Sequence, residues 1–120
     1  MAKKVAVVDD EADFVELVKD ILEAQGYEVL PCIGSLRAFE TIKEGKPDLV
    51  LLDVMMPGRS GWELLDILKM ERETCDLPIV ITTAVRAATA RLSGQPYEVL
   101  KKPFDTSELI ATVERAIGKP

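Results

Sequence analysis

The chain has 120 residues, about the length of one domain. With 48% hydrophobic and 30% charged residues, 7 Gly and 7 Pro, it is excluded from the disordered, collagen-like and low-complexity classes. A formal charge of −6 with no basic run argues against nucleic-acid binding, and zero His removes the commonest general base and metal ligand.

Apolar clusters and amphipathic stretches alternate along the chain. Val5 to Val8 is a short β-branched run, as expected of a strand buried on both faces, and Asp9-Asp10-Glu11 after it offers helix-capping oxygens. Residues 12–25 space Phe14, Leu17, Val18, Ile21 and Leu22 by threes and fours, predicting a helix with those five facing inward and Gly26 as its stop. Tyr27 to Cys32 reads as the second strand. Ser35 then caps a helix to about Glu44, with Leu36, Phe39 and Ile42 inward and Gly45 ending it. Leu49 to Leu52 is the most hydrophobic strand candidate and belongs at the centre of the sheet.

A Pro/Gly loop, Met55 to Gly61, leads to a third helix with Trp62, Leu65, Leu68 and Met70 on one side. Ile79 to Ile81 forms the fourth strand, Ala87 to Ala90 a short helix ending near Gly94, and Tyr97 to Leu100 the fifth strand. The last helix opens with Asp105 and Glu108 as a capping box and buries Leu109, Val113 and Ile117. Five strands alternating with five helices predict an α/β fold, a doubly wound parallel sheet with helices on both faces, read as one domain over 1–120.

Cys32 and Cys75 have no zinc or CxxC spacing and suit a reducing compartment. The apolar run after Lys3 and Lys4 is too short for a signal peptide, and no run approaches a membrane span. A soluble, cytoplasmic protein without membrane contact is therefore expected.

Four strands end in chemically useful groups: Asp9 and Asp10, Asp53, Thr82 and Thr83, Lys101 and Lys102. In a parallel sheet these ends share one edge, where α/β proteins bind ligands. Strand order 2-1-3-4-5 would bring Asp9, Asp10 and Asp53 into one pocket. Singly, each has an ordinary explanation: a helix cap, a turn residue, a solvated charge. Together, three carboxylates need a compensating cation or protons, and an all-oxygen set favours Mg²⁺ or Mn²⁺. With a Lys and a Thr on neighbouring ends, such a pocket can hold a phosphoryl group above a nucleophilic carboxylate.

Over essentially its full length the sequence resembles the receiver domain of bacterial two-component response regulators, which has a flavodoxin-like fold. Asp9-Asp10 resembles the family's acidic pair. Asp53, within Leu51-Leu52-Asp53-Val54-Met55-Met56-Pro57 and followed by Gly61, matches the phosphoacceptor signature D-x-x-M-P-x-x-x-G. Thr83-Ala84 matches the switch threonine, and Lys102-Pro103-Phe104 the lysine with its proline. The resemblance implies that Asp53 accepts a phosphoryl group from a histidine kinase or histidine phosphotransfer protein. It implies Mg²⁺ held by Asp10, Asp53 and the Met55 carbonyl with Asp9 helping through water, and a cis Lys102-Pro103 bond. It also implies Lys102 on the phosphoryl oxygens, and Thr83 passing the signal to a surface around the fourth helix, fifth strand and last helix, read by a downstream protein or output domain.

Two departures are visible. The family's aromatic switch position holds Val99, with Tyr97 two residues earlier as a substitute, and the stretch after Thr83 is about one helical turn short. Met55 and Val85 carry no group to orient an attacking water, so slow self-dephosphorylation is expected, faster in Met55→Asn. The alternative readings are a degenerate receiver acting as a phosphorylation-independent binding module, and a metal-dependent phosphatase or nucleotide enzyme. The latter is disfavoured by the lack of a phosphate-binding glycine loop and of an Asp two residues after Asp53. The chain ends just past the last predicted helix, which fits a single-domain receiver or a piece of a longer regulator or hybrid kinase. The cognate kinase, the pathway and the oligomeric state carry no signal in the sequence.

Overall fold

The computed structural model describes residues 2–34, 37–54, 61–83 and 98–120. Within them the order is β1 (Lys4–Asp9), α1 (Ala12–Ala24), β2 (Glu28–Ile33), α2 (Ala38–Gly45), β3 (Leu49–Asp53), α3 (Gly61–Met70), β4 (Ile79–Thr83), β5 (Glu98–Lys101) and a C-terminal helix (Thr106–Ile117). The five strands form one parallel sheet in the order β2-β1-β3-β4-β5, as the alternation of elements had suggested. The predicted Ser35 cap, Leu36, the short helix from Ala87 to Ala90, Gly94 and Tyr97 all lie outside the described residues.

Strand alternation divides the core in two. Val5, Val7, Leu49, Leu51 and Val80 point to the face covered by α1 and the C-terminal helix, against Val15, Val18, Leu22, Leu109 and Val113. Ala6, Val8, Val50, Leu52, Ile79 and Ile81 point to the face covered by α2 and α3, against Ile42, Leu64, Leu65 and Leu68. Because β3 lies centrally and is wholly buried, it reads as a continuous apolar run.

Several local expectations need correction. Leu17, expected inward, is 57% exposed, because the sheet covers only the narrower stripe of Val15, Val18 and Leu22. Met70 is 84% exposed at the end of α3, whose buried leucines are Leu64, Leu65 and Leu68. Gly45 does end α2, as its last residue, and a Cβ there would come 2.5 Å from the Leu30 side chain. The left-handed cap is Lys46 at φ 48°, whose N–H donates to the Ile42 carbonyl. The residue capping α1 is Glu11, without a side-chain bond, rather than Asp9 or Asp10.

Other ends behave as their residues dictate. Gly26 turns the chain after α1 at φ 104°, and the Thr74 hydroxyl donates to the Leu68 carbonyl (2.6 Å) beyond α3. Asp105 caps the C-terminal helix, accepting from the Glu108 amide at 2.8 Å. Beside that helix's far end, the Tyr27 hydroxyl donates to the Gly118 carbonyl (2.8 Å) and the Lys3 ammonium to the Ile117 carbonyl. No described helix is long and apolar enough to cross a membrane.

Candidate functional site

Parallel pairing puts the carboxyl ends of β1, β3, β4 and β5 on one edge. Val8 pairs with Leu52, so Asp9 and Asp53, the next residue of each strand, emerge side by side. Asp53 pairs in turn with Thr82, and Thr83 with Lys101. The Lys102 amide donates to the Thr83 carbonyl (2.9 Å), extending that register by one residue. The Lys102-Pro103 peptide is cis.

One carboxylate oxygen from each of Asp9, Asp10 and Asp53 lies within 4.8 Å of the others. Asp9 is wholly buried and Asp53 6% exposed, whereas Asp10 faces solvent. Both Asp9 oxygens have partners within the protein: Oδ1 accepts from the Glu11 amide (3.0 Å) and Oδ2 from the Lys102 ammonium (2.5 Å). The same ammonium lies 3.5 Å from Asp53 Oδ2. Thr83 is buried beside them at the end of β4.

Like charges at such spacing repel by about 3 kcal/mol per pair at an effective dielectric of about 20, and three pairs rival the stability of a whole domain. Lys102 offsets part of this; three carboxylates against one ammonium still leave a formal charge of −2. A divalent ion would cancel the remainder. The donors are all oxygens, with neither Cys nor His among them, so the cluster fits a hard ion such as Mg²⁺ rather than zinc or copper.

The start of α3 is set by a missing side chain. Gly61 opens α3 with its amide donating to the Val54 carbonyl (3.2 Å), and a Cβ there would sit 2.2 Å from the Asp53 carbonyl oxygen. Only glycine lets α3 start against the backbone that carries Asp53.

On the other side of Lys102 lie two aromatic rings. Phe14, in the first turn of α1, has its ring centroid 4.1 Å from the ammonium, and Phe104 meets Phe14 nearly perpendicularly, with centroids 5.8 Å apart. Phe14 was legible as a core-facing helix residue, four after Asp10 and so one turn along α1. Its proximity to Lys102 had no sequence signal. A groove of about 560 Å³ runs from this point between α1 and the segment after β5, lined by Phe14, Leu17, Val18, Ile21, Lys102 and Phe104.

Of the residues singled out from sequence, Asp9, Asp10, Asp53, Thr83 and Lys102 converge on this edge. Val99 is half-buried, packed on the core face shared with α2 and α3. Met55, Val85 and Tyr97 lie outside the described residues.

Residues 5–114 match the family described as the response regulator receiver domain. The chain is 37% identical to the phosphate regulon transcriptional regulatory protein PhoB of Pseudomonas aeruginosa, over 99% of this chain and 53% of that protein. It thus spans about half the length of the curated relatives it matches. Among solved structures, the chemotaxis protein CheY4 of Vibrio cholerae superposes with a TM-score of 0.86 at 25% identity, covering 97% of this chain and 99% of that one. NtrX of Brucella abortus superposes with a TM-score of 0.84 at 33% identity, covering 98% of this chain and 27% of that one.

Proposed function

Because the chain belongs to the response-regulator receiver family of two-component signalling, we propose that it is a phosphorylation switch with Asp53 as phosphoacceptor, spanning residues 1–120 as one receiver domain. The observation that carries this reading is the placement of Lys102 between Asp9 and Asp53, within a cluster of three carboxylates at the edge of the sheet.

An Asp53 carboxylate oxygen attacks phosphorus of a phosphohistidine on a histidine kinase or phosphotransfer protein. The P–N bond breaks, the imidazole leaves with its electron pair and takes up a proton, and Asp53 becomes a mixed anhydride. Lys102 donates to a phosphoryl oxygen, exchanging part of its pairing with Asp53 for the new charge. Thr83 supplies a hydroxyl to another oxygen, and its displacement carries the change outward along β4. The residues that would hold Mg²⁺ are Asp10, Asp53 and the Met55 carbonyl, with Asp9 acting through water. When bound, the ion supplies positive charge to the phosphoryl oxygens. Reversal to the carboxylate is attack of water on phosphorus, releasing inorganic phosphate; this resets the switch and turns over no external substrate.

The donor is a protein, and the groove beside Lys102 supports its approach. An apolar trough continuous with the acidic edge, with Leu17 exposed on its wall, suits an apolar helix that presents the phosphohistidine at its end. The downstream partner is read as a protein or output domain that senses the β4–β5 side, with Val99 or Tyr97 as the second switch residue. A cytoplasmic setting follows from the donor chemistry. The relative PhoB is a transcriptional regulatory protein; this chain's own contribution is read as protein recognition, without direct nucleic-acid contact.

Incubation with acetyl phosphate and Mg²⁺ should add one phosphoryl group by mass, lost in Asp53→Ala and on chelation of the metal. Absence of any adduct on the wild type under saturating donor would leave a phosphorylation-independent binding module instead.

A further inference from the structure

We propose that Phe14 is a positioning residue for Lys102, its ring face holding the ammonium at the acidic edge while leaving its N–H donors free for phosphoryl oxygens. The role rests on Asp53 being the acceptor; the contact itself does not.

Three groups define the position of the ammonium: Asp9 Oδ2 at 2.5 Å, Asp53 Oδ2 at 3.5 Å and the Phe14 centroid at 4.1 Å. A lysine stem has several rotatable bonds, and fixing them costs rotamer freedom. The carboxylates alone would fix them at a poor place for transfer. They draw the ammonium towards Asp9, whereas phosphorylation requires it to serve an oxygen beyond Asp53. An aromatic face attracts the same charge without using up a directional hydrogen bond. It restrains the side chain laterally and leaves the N–H groups to the oxygens.

The ring is itself held. Phe14 sits half-buried in the first turn of α1 and packs on the core shared with the C-terminal helix. Phe104, two residues after Lys102 on the same segment, braces it edge to face. Lys102 and Phe104 thus contact one ring from one loop, and α1 supplies that ring from the other side of the site. Shielding by the ring also keeps the lysine side chain largely from water, which strengthens its pull on nearby anionic oxygen.

Nuclear magnetic resonance tests the contact and labelling kinetics test the role. In the wild type the Lys102 ε-protons should be shifted upfield by the ring current. The shift should vanish in Phe14→Leu and persist in Phe14→Tyr, which keeps the aromatic face. With acetyl phosphate and Mg²⁺, labelling of Asp53 should slow about fivefold in Phe14→Leu and return to within about twofold in Phe14→Tyr, the size expected of a partly shielded cation–π contact.

Lys102 ε-protons at the free-lysine position in the wild type would overturn the contact. Equal slowing in both variants would overturn the role, since it would mark loss of packing alone, and so would wild-type labelling in Phe14→Leu. A wild type that takes no label at all would overturn the acceptor reading and the role with it, while the ring-current shift still reports on the contact.

Discussion

The two faces of the sheet are built from the same kinds of residue and do different things. Among the described residues, the face under α2 and α3 is closed around β3: Ile42, Leu64, Leu65 and Leu68 pack in its core, and Gly61 locks α3 against the backbone of Asp53 and Val54. The face under α1 and the C-terminal helix is sealed at its centre but left open at its upper rim, where Leu17 is exposed and the groove reaches Lys102. One face fixes the main chain of Asp53, the proposed acceptor; the other leaves the Lys102 side of the site open. A receiver needs both, a rigid acceptor and an approachable one.

Substitution at Gly61 should break the closed face most severely. Gly61→Ala forces either α3 or the Asp53 main chain to move, and overpacking of this kind costs about 1–3 kcal/mol. Denaturant unfolding should show that loss, and labelling by acetyl phosphate should drop in the fraction that remains folded. Unchanged stability would mean that α3 can retreat without consequence.

On the open face the opposite result is expected. Leu17→Glu should leave stability within about 0.5 kcal/mol, as surface changes do. It should slow transfer from a protein phosphohistidine donor by about tenfold, an apolar contact's worth at an interface. Labelling by acetyl phosphate should not change, because a small donor needs no groove. Equal slowing with both donors would place Leu17 in the chemistry rather than in docking.

The smallest effect concerns the thiols. Cys32 is buried in the closed face, and burial pushes its thiol from 9.0 up to about 11. The unfolded thiol ionises first, so the stability Cys32 contributes is whole below pH 9.0 and falls as pH rises from there to about 11. At pH 8 an alkylating reagent should modify the partly exposed Cys75 and spare Cys32 until the protein is unfolded, as mass spectrometry would count.

Much of the fold was legible because buried parallel strands have to be written as β-branched apolar runs, and Val5–Val8 and Leu49–Leu52 can hardly be anything else. The acidic edge was legible for a related reason: Asp9 and Asp53 close, and Lys102 follows, strands whose register is fixed by burial. What failed were helix faces. Periodicity counted Leu17 and Met70 as core, yet how wide a stripe a helix buries depends on where the sheet ends beneath it, and that is a tertiary fact. Gly45 was legible as the end of α2, but not as the residue whose missing side chain lets α2 approach Leu30. The meeting of Phe14 with Lys102 joins residues 88 positions apart through a side chain whose type alone promised only packing.

The bonds from Tyr27 to Gly118 and from Lys3 to Ile117 draw the first strand's entrance and the final helix's exit to one corner, at the pole away from the acids. Expressed as residues 1–120 alone, the domain could therefore be closed there by a short peptide and reopened at an outward turn, giving a circular permutant with every strand still threaded. Cargo grafted at that corner would hang clear of both the groove beside Phe14 and the acidic pocket.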